Sequence, residues 1–329
     1  AYLTTGKTFG RTSITVPDTL AALLQLGAWG RNKLDAQLAN RVIGITGSVG
    51  KTSTKDFVAA ALGSALRVTA NERSFNNDQG LPVTILNAPD DVQALVLEMG
   101  MRGFGEIARL CTVARPNIGV VTKVASAHTQ RVGDIDGVAR AKSELVMALD
   151  ASGFAILNAD DDRVVAMQSI TGARVITYGL ALSADVRMTS CVLDERACAS
   201  VTVESPWGRA SWKMNVPGEH MAHNAVGAIA VAGVMGLDLQ RAADAISIAV
   251  LSEMRMQHRT ARSGALIIDD SYNANPASMA AALHALNATK ASRRIAVLGV
   301  MAELSEPDQD HLQISRLAKQ LGIEVIAVE

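Results

Sequence analysis

Aromatic residues make up only 3% of this 329-residue chain, although its hydrophobic content reaches 49%. With so few large rings the interior must be built from Ala, Val, Ile and Leu, which suits a parallel sheet covered on both faces and disfavours an all-β sandwich. Cysteine occurs three times, as Cys111, Cys191 and Cys198, without C-x-x-C spacing. That argues against a disulfide framework or a zinc ribbon and reads as reduced thiols of a cytoplasmic protein. No block of one charge sign accompanies the net charge of −1, so neither a nucleic-acid surface nor attraction to an anionic membrane is expected. A signal peptide and a bilayer-spanning apolar run are both missing; the apolar segment Ala225–Gly236 is short and fits a buried helix. Internal repeats and low-complexity segments are missing too.

Against these absences stands one dense stretch, Ile43-Gly44-Ile45-Thr46-Gly47-Ser48-Val49-Gly50-Lys51-Thr52-Ser53-Thr54-Lys55. The run 41–45 reads as a short buried strand, and a helical pattern resumes over 51–62. Gly47 and Gly50 let the backbone curl so that successive N–H groups face phosphate oxygens at a helix start. Lys51 adds a mobile positive charge for the outer phosphates, and the Thr52 hydroxyl can ligate Mg²⁺. Ile45 stands where the general pattern has a further glycine, leaving the compact form Gly47-x-x-Gly50-Lys51-Thr52. Set between a strand and a helix, this predicts nucleotide binding rather than a plain turn.

The length predicts two or three domains. Strands are predicted over 42–46, 94–98, 117–122, 153–157 and 173–177, alternating with helices over 51–62, 105–113, 136–149 and 161–169. Such alternation predicts right-handed crossovers and a mainly parallel sheet, hence an α/β fold. Segments 186–189, 199–203 and 210–214 alternate apolar and polar, predicting an antiparallel edge. Helices over 220–235 and 238–249 follow, then a strand over 265–269 and a helix after Pro276. A strand over 294–298, a helix over 308–321 and a strand over 324–328 look like the opening of a further α/β unit. Ahead of the sheet lie a β-like piece at 12–16 and a helix at 19–26, expected to be the tail of a preceding domain and a linker. The chain begins at Ala1 rather than Met and stops inside a strand pattern. A complete last unit needs on the order of 100 residues, so the expectation is a piece of a larger protein.

Several polar constellations fall at strand ends, where ligands collect in open α/β sheets. Glu98 closes an apolar strand beside the phosphate loop and can take Mg²⁺ with Thr52. His128 lies just past another strand end, where a lone His is either structural or a metal ligand. Lys142 and Glu144 sit in a helical pattern and by themselves read as solvent-facing charges. Asn158-Ala159-Asp160-Asp161 reads as a capping turn. His220 and His223 share one helix face but lack the spacing and third ligand of a zinc site. In Ile267-Ile268-Asp269-Asp270-Ser271-Tyr272-Asn273-Ala274-Asn275-Pro276 a strand ends in two acids and a polar loop, which reads either as a ribose-binding acid or as an Asn-rich turn.

Taken in order, these residues resemble the Mur ligase family. The resemblance is carried by Thr46 to Lys55, Ser74-Phe75-Asn76-Asn77-Asp78-Gln79-Gly80-Leu81-Pro82-Val83-Thr84, Glu98-Met99-Gly100 and Gly105-Glu106-Ile107. Ala127-His128, Lys142-Ser143-Glu144, Asn158 to Asp161, Arg255-Met256, Asp269 to Pro276, Leu298-Gly299 and Met301-Ala302-Glu303-Leu304 continue it, so it covers about 42–305. Departures fall at Lys123, Met221, Val300 and Ser305.

What the resemblance implies is specific. The fold would be a P-loop ATPase domain over 41–291, preceded by an N-terminal remnant and linker over 1–40. The truncated start of a Rossmann-like C-terminal domain would follow over 292–329. The loop Thr46, Gly47, Ser48, Val49, Gly50, Lys51, Thr52 and Ser53 would hold the ATP phosphates. Thr52 and Glu98 would hold one Mg²⁺, and His128 with a carbamoylated Lys142 a second. Asn224 would contact adenine, Asp270 ribose and Arg255 the γ-phosphate, while Asn76 and Asn77 face the muramoyl substrate. Lys51, Lys142, His128 and Arg255 would be the catalytic set.

The implied activity is an ATP-dependent ligase that adds D-alanyl-D-alanine to UDP-N-acetylmuramoyl-tripeptide through an acyl phosphate, as a cytoplasmic monomer without nucleic-acid or membrane partners. In the family the UDP group rests mainly on an N-terminal domain, and the dipeptide on a C-terminal one. The 329-residue piece is therefore expected to bind nucleotide weakly and turn over poorly. The alternatives are another ligase of the superfamily, such as a folylpolyglutamate synthetase, or a catalytically silent nucleotide-binding relative.

Overall fold

Neighbouring residues along the apolar strands of this chain are buried on opposite faces of one sheet. In the computed structural model, which describes residues 2–6, 10, 12–72, 75–126, 129–302 and 304–328, the chain opens with β1 (Tyr2–Thr4), β2 (Ser13–Thr15), α1 (Thr19–Lys33) and α2 (Asp35–Leu38). The central unit runs β3 (Val42–Thr46), α3 (Lys51–Gly63), β4 (Val68–Ala70), α4 (Gly80–Leu86), β5 (Ala94–Glu98), α5 (Glu106–Ala114), β6 (Ile118–Val121), α6 (Thr129–Val132) and α7 (Ile135–Met147). It continues with β7 (Phe154–Asn158), α8 (Asp162–Ala166), a 3₁₀ turn (Met167–Ile170), β8 (Arg174–Gly179), β9 (Val186–Leu193), β10 (Cys198–Ser205) and β11 (Gly208–Pro217). After α9 (Glu219–Val234) and α10 (Leu239–Ser247) come β12 (Gln257–Thr260), β13 (Leu266–Asp269), α11 (Pro276–Ala288), β14 (Ile295–Leu298), α12 (Pro307–Gln320) and β15 (Glu324–Ala327).

A nine-stranded sheet in the order β11-β10-β9-β8-β7-β6-β3-β5-β4 organises the molecule. Every neighbouring pair from β4 to β9 is parallel, and β9–β10 and β10–β11 are antiparallel. The fold is thus α/β with a mainly parallel sheet and an antiparallel edge. Ile43, Ile45, Val96, Val120 and Ile156 pack into one apolar cluster with Phe57, Val58, Ala61 and Leu62 of α3 and the small residues of α9. Val42, Leu95, Leu97, Val121 and Leu157 face the other way, against Leu81 and Ile85 of α4, Ile107 and Leu110 of α5, and Val138 and Leu145 of α7. Burial on both faces explains why these strands read as unbroken apolar runs. The helix α9 lies close because Gly227 meets the fully buried Tyr178 ring, where a Cβ would stand 3.1 Å from Cζ.

The structure corrects some boundaries. The helix predicted over 19–26 runs on to Lys33, capped at its start by the Asp18 side chain on the Leu20 and Ala21 amides. Gly27 and Gly30, which weaken helix propensity, are contact points instead: a Cβ on Gly27 would fall 2.5 Å from Pro82 Cβ. The helix predicted over 161–169 ends at Ala166 and tightens into the 3₁₀ turn. The segments β4, α4 and β12 were not predicted; β4 is a three-residue edge and β12, Gln257-His258-Arg259-Thr260, carries no apolar period. Among the described residues no helix is long and apolar enough to cross a membrane.

Truncating Phe57, fully buried between α3 and the sheet, is expected to cost about 3–5 kcal/mol of stability. Urea unfolding of Phe57→Ala, read by far-UV circular dichroism, checks this.

Candidate active site at the carboxyl edge of the sheet

Parallel pairing sends the carboxyl ends of β3, β5, β6 and β7 to one edge, and the charged residues of the sequence collect there. After β3 the chain curls through Gly47 (φ 151°) and Gly50 (φ 85°), and Gly50 caps α3 without a side-chain hydrogen bond. The first amides of α3 are therefore not spent on a cap side chain, at the positive end of the helix dipole. The curl is held from outside. Thr122 donates its hydroxyl to Val49 O at 2.6 Å, Ser48 N donates to Lys123 O at 2.6 Å, and the Ser48 hydroxyl is bonded to both backbone groups of Ala125 at 2.9 Å. Gly47 is required by this proximity, since a Cβ there would stand 1.9 Å from the Thr122 hydroxyl oxygen. Thr46 has a supporting part: its hydroxyl bonds Met99 O at 2.9 Å.

The charged groups follow. Lys51 folds back onto the loop, its Nζ donating to Gly47 O at 2.8 Å and Ser48 O at 3.3 Å. Burial lowers its pKa, Glu98 opposes that shift and the Arg255 guanidinium reinforces it. Glu98 is buried at the end of β5; one carboxylate oxygen accepts from Asn76 Nδ2 at 2.7 Å, and the other, Oε2, has no hydrogen-bond partner. Arg255 donates to the Thr52 hydroxyl at 3.3 Å and lies 4.2 Å over the Tyr272 ring. Lys142 is not the solvent-facing charge its helical pattern suggests. It is buried, because α7 turns this face into the site, and burial together with the Lys51 ammonium holds it well below the ordinary lysine range. His128 lies outside the described residues.

Two cavities open on either side of the loop, and Val49, Gly50, Ser53 and Arg255 line both. The first, about 680 Å³, is walled by Asn224, Asp270, His223 and the apolar Leu180, Met188 and Leu193. The second, about 600 Å³, holds Lys51, Thr52, Glu98, Lys142, Asn76 and Asn77. The edge therefore brings the phosphate loop together with Glu98, Lys142, Asn76, Asn77, Asn224, Arg255 and Asp270, whereas Thr46 stands behind the loop and Glu144 instead accepts from the Gly105 and Ala108 amides at the start of α5. Asn77 lines the second cavity while its Oδ1 caps α4 on the amides of Gln79 and Gly80. The 267–276 stretch contains both a helix cap and a cavity-lining acid. Asn275 and Ser278 form a capping box on α11, whereas Asp270 lines the first cavity.

An orphaned carboxylate oxygen, a threonine hydroxyl and loop amides form a hard-oxygen, phosphate-accepting set that suits Mg²⁺ and a nucleotide polyphosphate. Among the described residues no cluster of three His, Cys, Asp or Glu side chains is present. That leaves one carboxylate plus ligand phosphates, the usual Mg²⁺ arrangement.

Sequence reasoning missed the pairing of Asp160 with His223, 2.8 Å apart in the wall of the first cavity. Against the upward push of burial, His223 and the amides of Leu180 and Ala181 hold the Asp160 carboxyl below the usual range. No local signal links residues this distant in the chain. His220 is half-buried beside Gly218, and desolvation pushes it down to about 4. Met221, one of the departures, is buried and 3.9 Å from Asn224 Nδ2.

Burial pushes Asp270 up to about 6, although Arg255 and the Met256 amide (3.2 Å) pull it down. The folded pKa lies above the unfolded one, so ionising Asp270 costs stability that is absent below about pH 4 and fully felt above about pH 6. Asp270→Asn is therefore expected to match the parent at pH 4 and exceed it by about 2 kcal/mol above pH 7. Denaturation midpoints across that range decide it.

Comparison with known proteins accords with this geometry. The model of the Mur ligase middle domain matches residues 45–232, and that of the Mur ligase, glutamate ligase domain matches residues 254–328. The chain is 42% identical over 294 residues to the UDP-N-acetylmuramoyl-tripeptide–D-alanyl-D-alanine ligase of Mycobacterium tuberculosis, covering 87% of this chain and 58% of that relative. It is 33% identical over 317 residues to the Escherichia coli protein of the same name, covering 94% and 68%. A crystal structure of MurF from Acinetobacter baumannii superposes with a TM-score of 0.91 at 28% identity, covering 99% of this chain and 71% of that one. MurF of Thermotoga maritima in complex with ADP shares the fold, with a TM-score of 0.85 at 22% identity, covering 99% and 78%. The chain thus spans under two thirds of the length of its mycobacterial relatives.

Proposed function

This chain belongs to the Mur ligase family, and from that premise we propose that it is the ATP-handling core of a ligase joining D-alanyl-D-alanine to UDP-N-acetylmuramoyl-tripeptide in peptidoglycan synthesis. The observation that carries the reading is the placing of one phosphate loop between two cavities that share Val49, Gly50, Ser53 and Arg255. A nucleoside on the Asn224 and Asp270 side would send its phosphates across the loop towards Lys51, Arg255 and the cavity that contains Asn76 and Asn77. Two substrates meeting at a phosphoryl group is what carboxylate activation demands.

A carboxylate at neutral pH is a poor electrophile, so direct amide formation in water runs uphill. On this reading the tripeptide's terminal carboxylate takes the γ-phosphoryl group of ATP, and the dipeptide amine then attacks the acyl phosphate. Phosphate departs from a tetrahedral intermediate. Lys51 and the amides at the start of α3 hold the phosphates, and Arg255, aimed by Tyr272, neutralises charge on the group in transfer. Thr52 and Glu98 would hold Mg²⁺, which supplies further neutralisation of phosphate oxygens. Asn76 orients Glu98 and faces the acceptor. Asp270 would accept from ribose hydroxyls and Asn224 would read the base. No side-chain nucleophile is needed, because ATP activates the carboxylate.

We further propose that residues 41–291 form the nucleotide unit, after a remnant over 1–40, and that 292–329 open a C-terminal unit. A separate apolar cluster of Ala296, Met301, Ile314 and Ala318 supports that last division, though it also takes in Met279 and Leu283 of α11. The protein would act in the cytoplasm as a monomer.

Phosphate release from Mg·ATP by the full-length protein, with UDP-muramoyl-tripeptide present, should require D-alanyl-D-alanine. Lys51→Ala should lower it by about 100-fold or more. Nucleotide binding without dipeptide-dependent release would point to another amine substrate or a silent relative.

Lys142 carries a second expectation. A buried amine held neutral can add CO₂, forming a carbamate N–C bond and releasing one proton, and the resulting anion could join His128 at a second Mg²⁺. Incubation with ¹³C-bicarbonate should give a carbamate ¹³C resonance that is missing in Lys142→Arg. A parent without that resonance would leave Lys142 as an unmodified amine.

A further inference from the structure

One buried cation of the molecule has no part in the chemistry above. Lys55, one turn after Lys51 on α3, is 3% exposed and lines neither cavity. An ammonium has three donors, and three segments receive them here. Nζ donates to Asn71 O at 2.8 Å, pairs with Asp56 Oδ1 at 2.8 Å and reaches the Ser252 hydroxyl at 3.5 Å.

Each partner leads to a functional group. Asn71, itself buried, grips the backbone of Glu98 from both sides, its Oδ1 accepting from Glu98 N at 2.7 Å and its Nδ2 donating to Glu98 O at 3.1 Å. The same Nδ2 donates to Phe75 O at 2.7 Å, next to Asn76. On the other side, Asp56 Oδ2 accepts from Ser252 N at 2.8 Å, so the amide and the hydroxyl of Ser252 are both tied to α3. Three residues on stands Arg255, flanked by two non-glycine residues in the left-handed region, Met254 (φ 57°) and Met256 (φ 51°). Such backbone persists only where its surroundings over-determine it. Here Ser252 is pinned by Asp56 and Lys55, and Met256 N by Asp270 at 3.2 Å.

We propose that Lys55 is a positioning residue that ties Glu98 and Arg255, carried by two separate segments, to the helix of the phosphate loop. A well-packed apolar side chain could fill the space at comparable stability, but it could not hold Asn71 O and Ser252 at once. The role deepens the ligase reading and rests on it. Glu98 and Arg255 act where charge develops during phosphoryl transfer, whereas the loop amides bind nucleotide. Loss of Lys55 should therefore slow turnover and spare nucleotide affinity.

The test uses the full-length protein and the variants Lys55→Met, Ser252→Ala and Arg255→Ala. In Lys55→Met and Ser252→Ala, kcat is expected to fall about 10- to 100-fold, with KM for ATP changed less than about threefold, as a displacement near 1 Å produces. In an Arg255→Ala background, Lys55→Met should cost a smaller factor than in the parent, because only its Glu98 arm remains. Amide hydrogen exchange should quicken over 252–256 and at Asn71, Phe75 and Asn76 in Lys55→Met. Equal factors in both backgrounds, a rise in KM matching the fall in kcat, or unchanged exchange over 252–256 would overturn the proposal and leave Lys55 a part of the core. Should Lys55→Met fail to fold, Ser252→Ala, which alters a half-buried loop hydroxyl, decides the kinetic arm. Absence of dipeptide-dependent turnover in the parent would reject the ligase reading, and the exchange measurement would still judge the positioning.

Discussion

The hydrogen bond from the Thr122 hydroxyl to Val49 O is the contact on which the rest of the site depends. It anchors the phosphate loop to the segment after β6, which is why Gly47 has no room for a side chain and why Gly50 can open α3 with its amides free of a cap. Val49 and Gly50 of this loop, with Ser53, Arg255 and Ser278, form the wall the two cavities share. A loop free to uncurl would lose the anion-binding end of α3 and the partition between the cavities together.

Charge around the loop is unbalanced on purpose. Lys51, Arg255 and Lys142 crowd one buried carboxylate, Glu98, and Lys51 and Lys142 are each displaced towards the neutral form by burial and by a neighbouring cation. Asp270 is pushed the opposite way, also towards neutrality. These displacements oppose folding, and a polyanion with its metal ion would relieve them at the loop. Such groups cluster at functional sites because the chemistry needs them desolvated and uncommitted before the substrate arrives. The orphaned Glu98 Oε2 and Arg255 Nε express the same reserve.

Structure and sequence part company where contacts are long-range. The strand–glycine–helix order around Gly47 and Gly50 was legible because it is local: a short apolar run, two residues that tolerate unusual φ, and a helical period. The two-faced burial of β3 and β5 to β7 was legible for the same reason. The extent of α1 was not, since Gly27 and Gly30 weaken helix propensity and their use as contact points shows only once Pro82 and Leu86 are seen against them. Lys142 read as a surface charge because helical periodicity cannot say which polar face looks into a site. Asn76 and Asp270 were legible as motif members, yet their partners Glu98 and Met256 were not.

What the sequence by itself determined is therefore the α/β alternation, the parallel sheet with its antiparallel edge, the phosphate loop and the set of polar residues at strand ends. These follow from hydrophobic period and from the backbone freedom of single residues, which act over a few positions. Only the tertiary structure decided that Lys142 is buried and that Asp160 meets His223. It alone decided that Lys55 stands between Asn71 and Ser252. Those outcomes depend on which segments the sheet order brings to one edge, and on the need of every buried charge for a partner once water is gone.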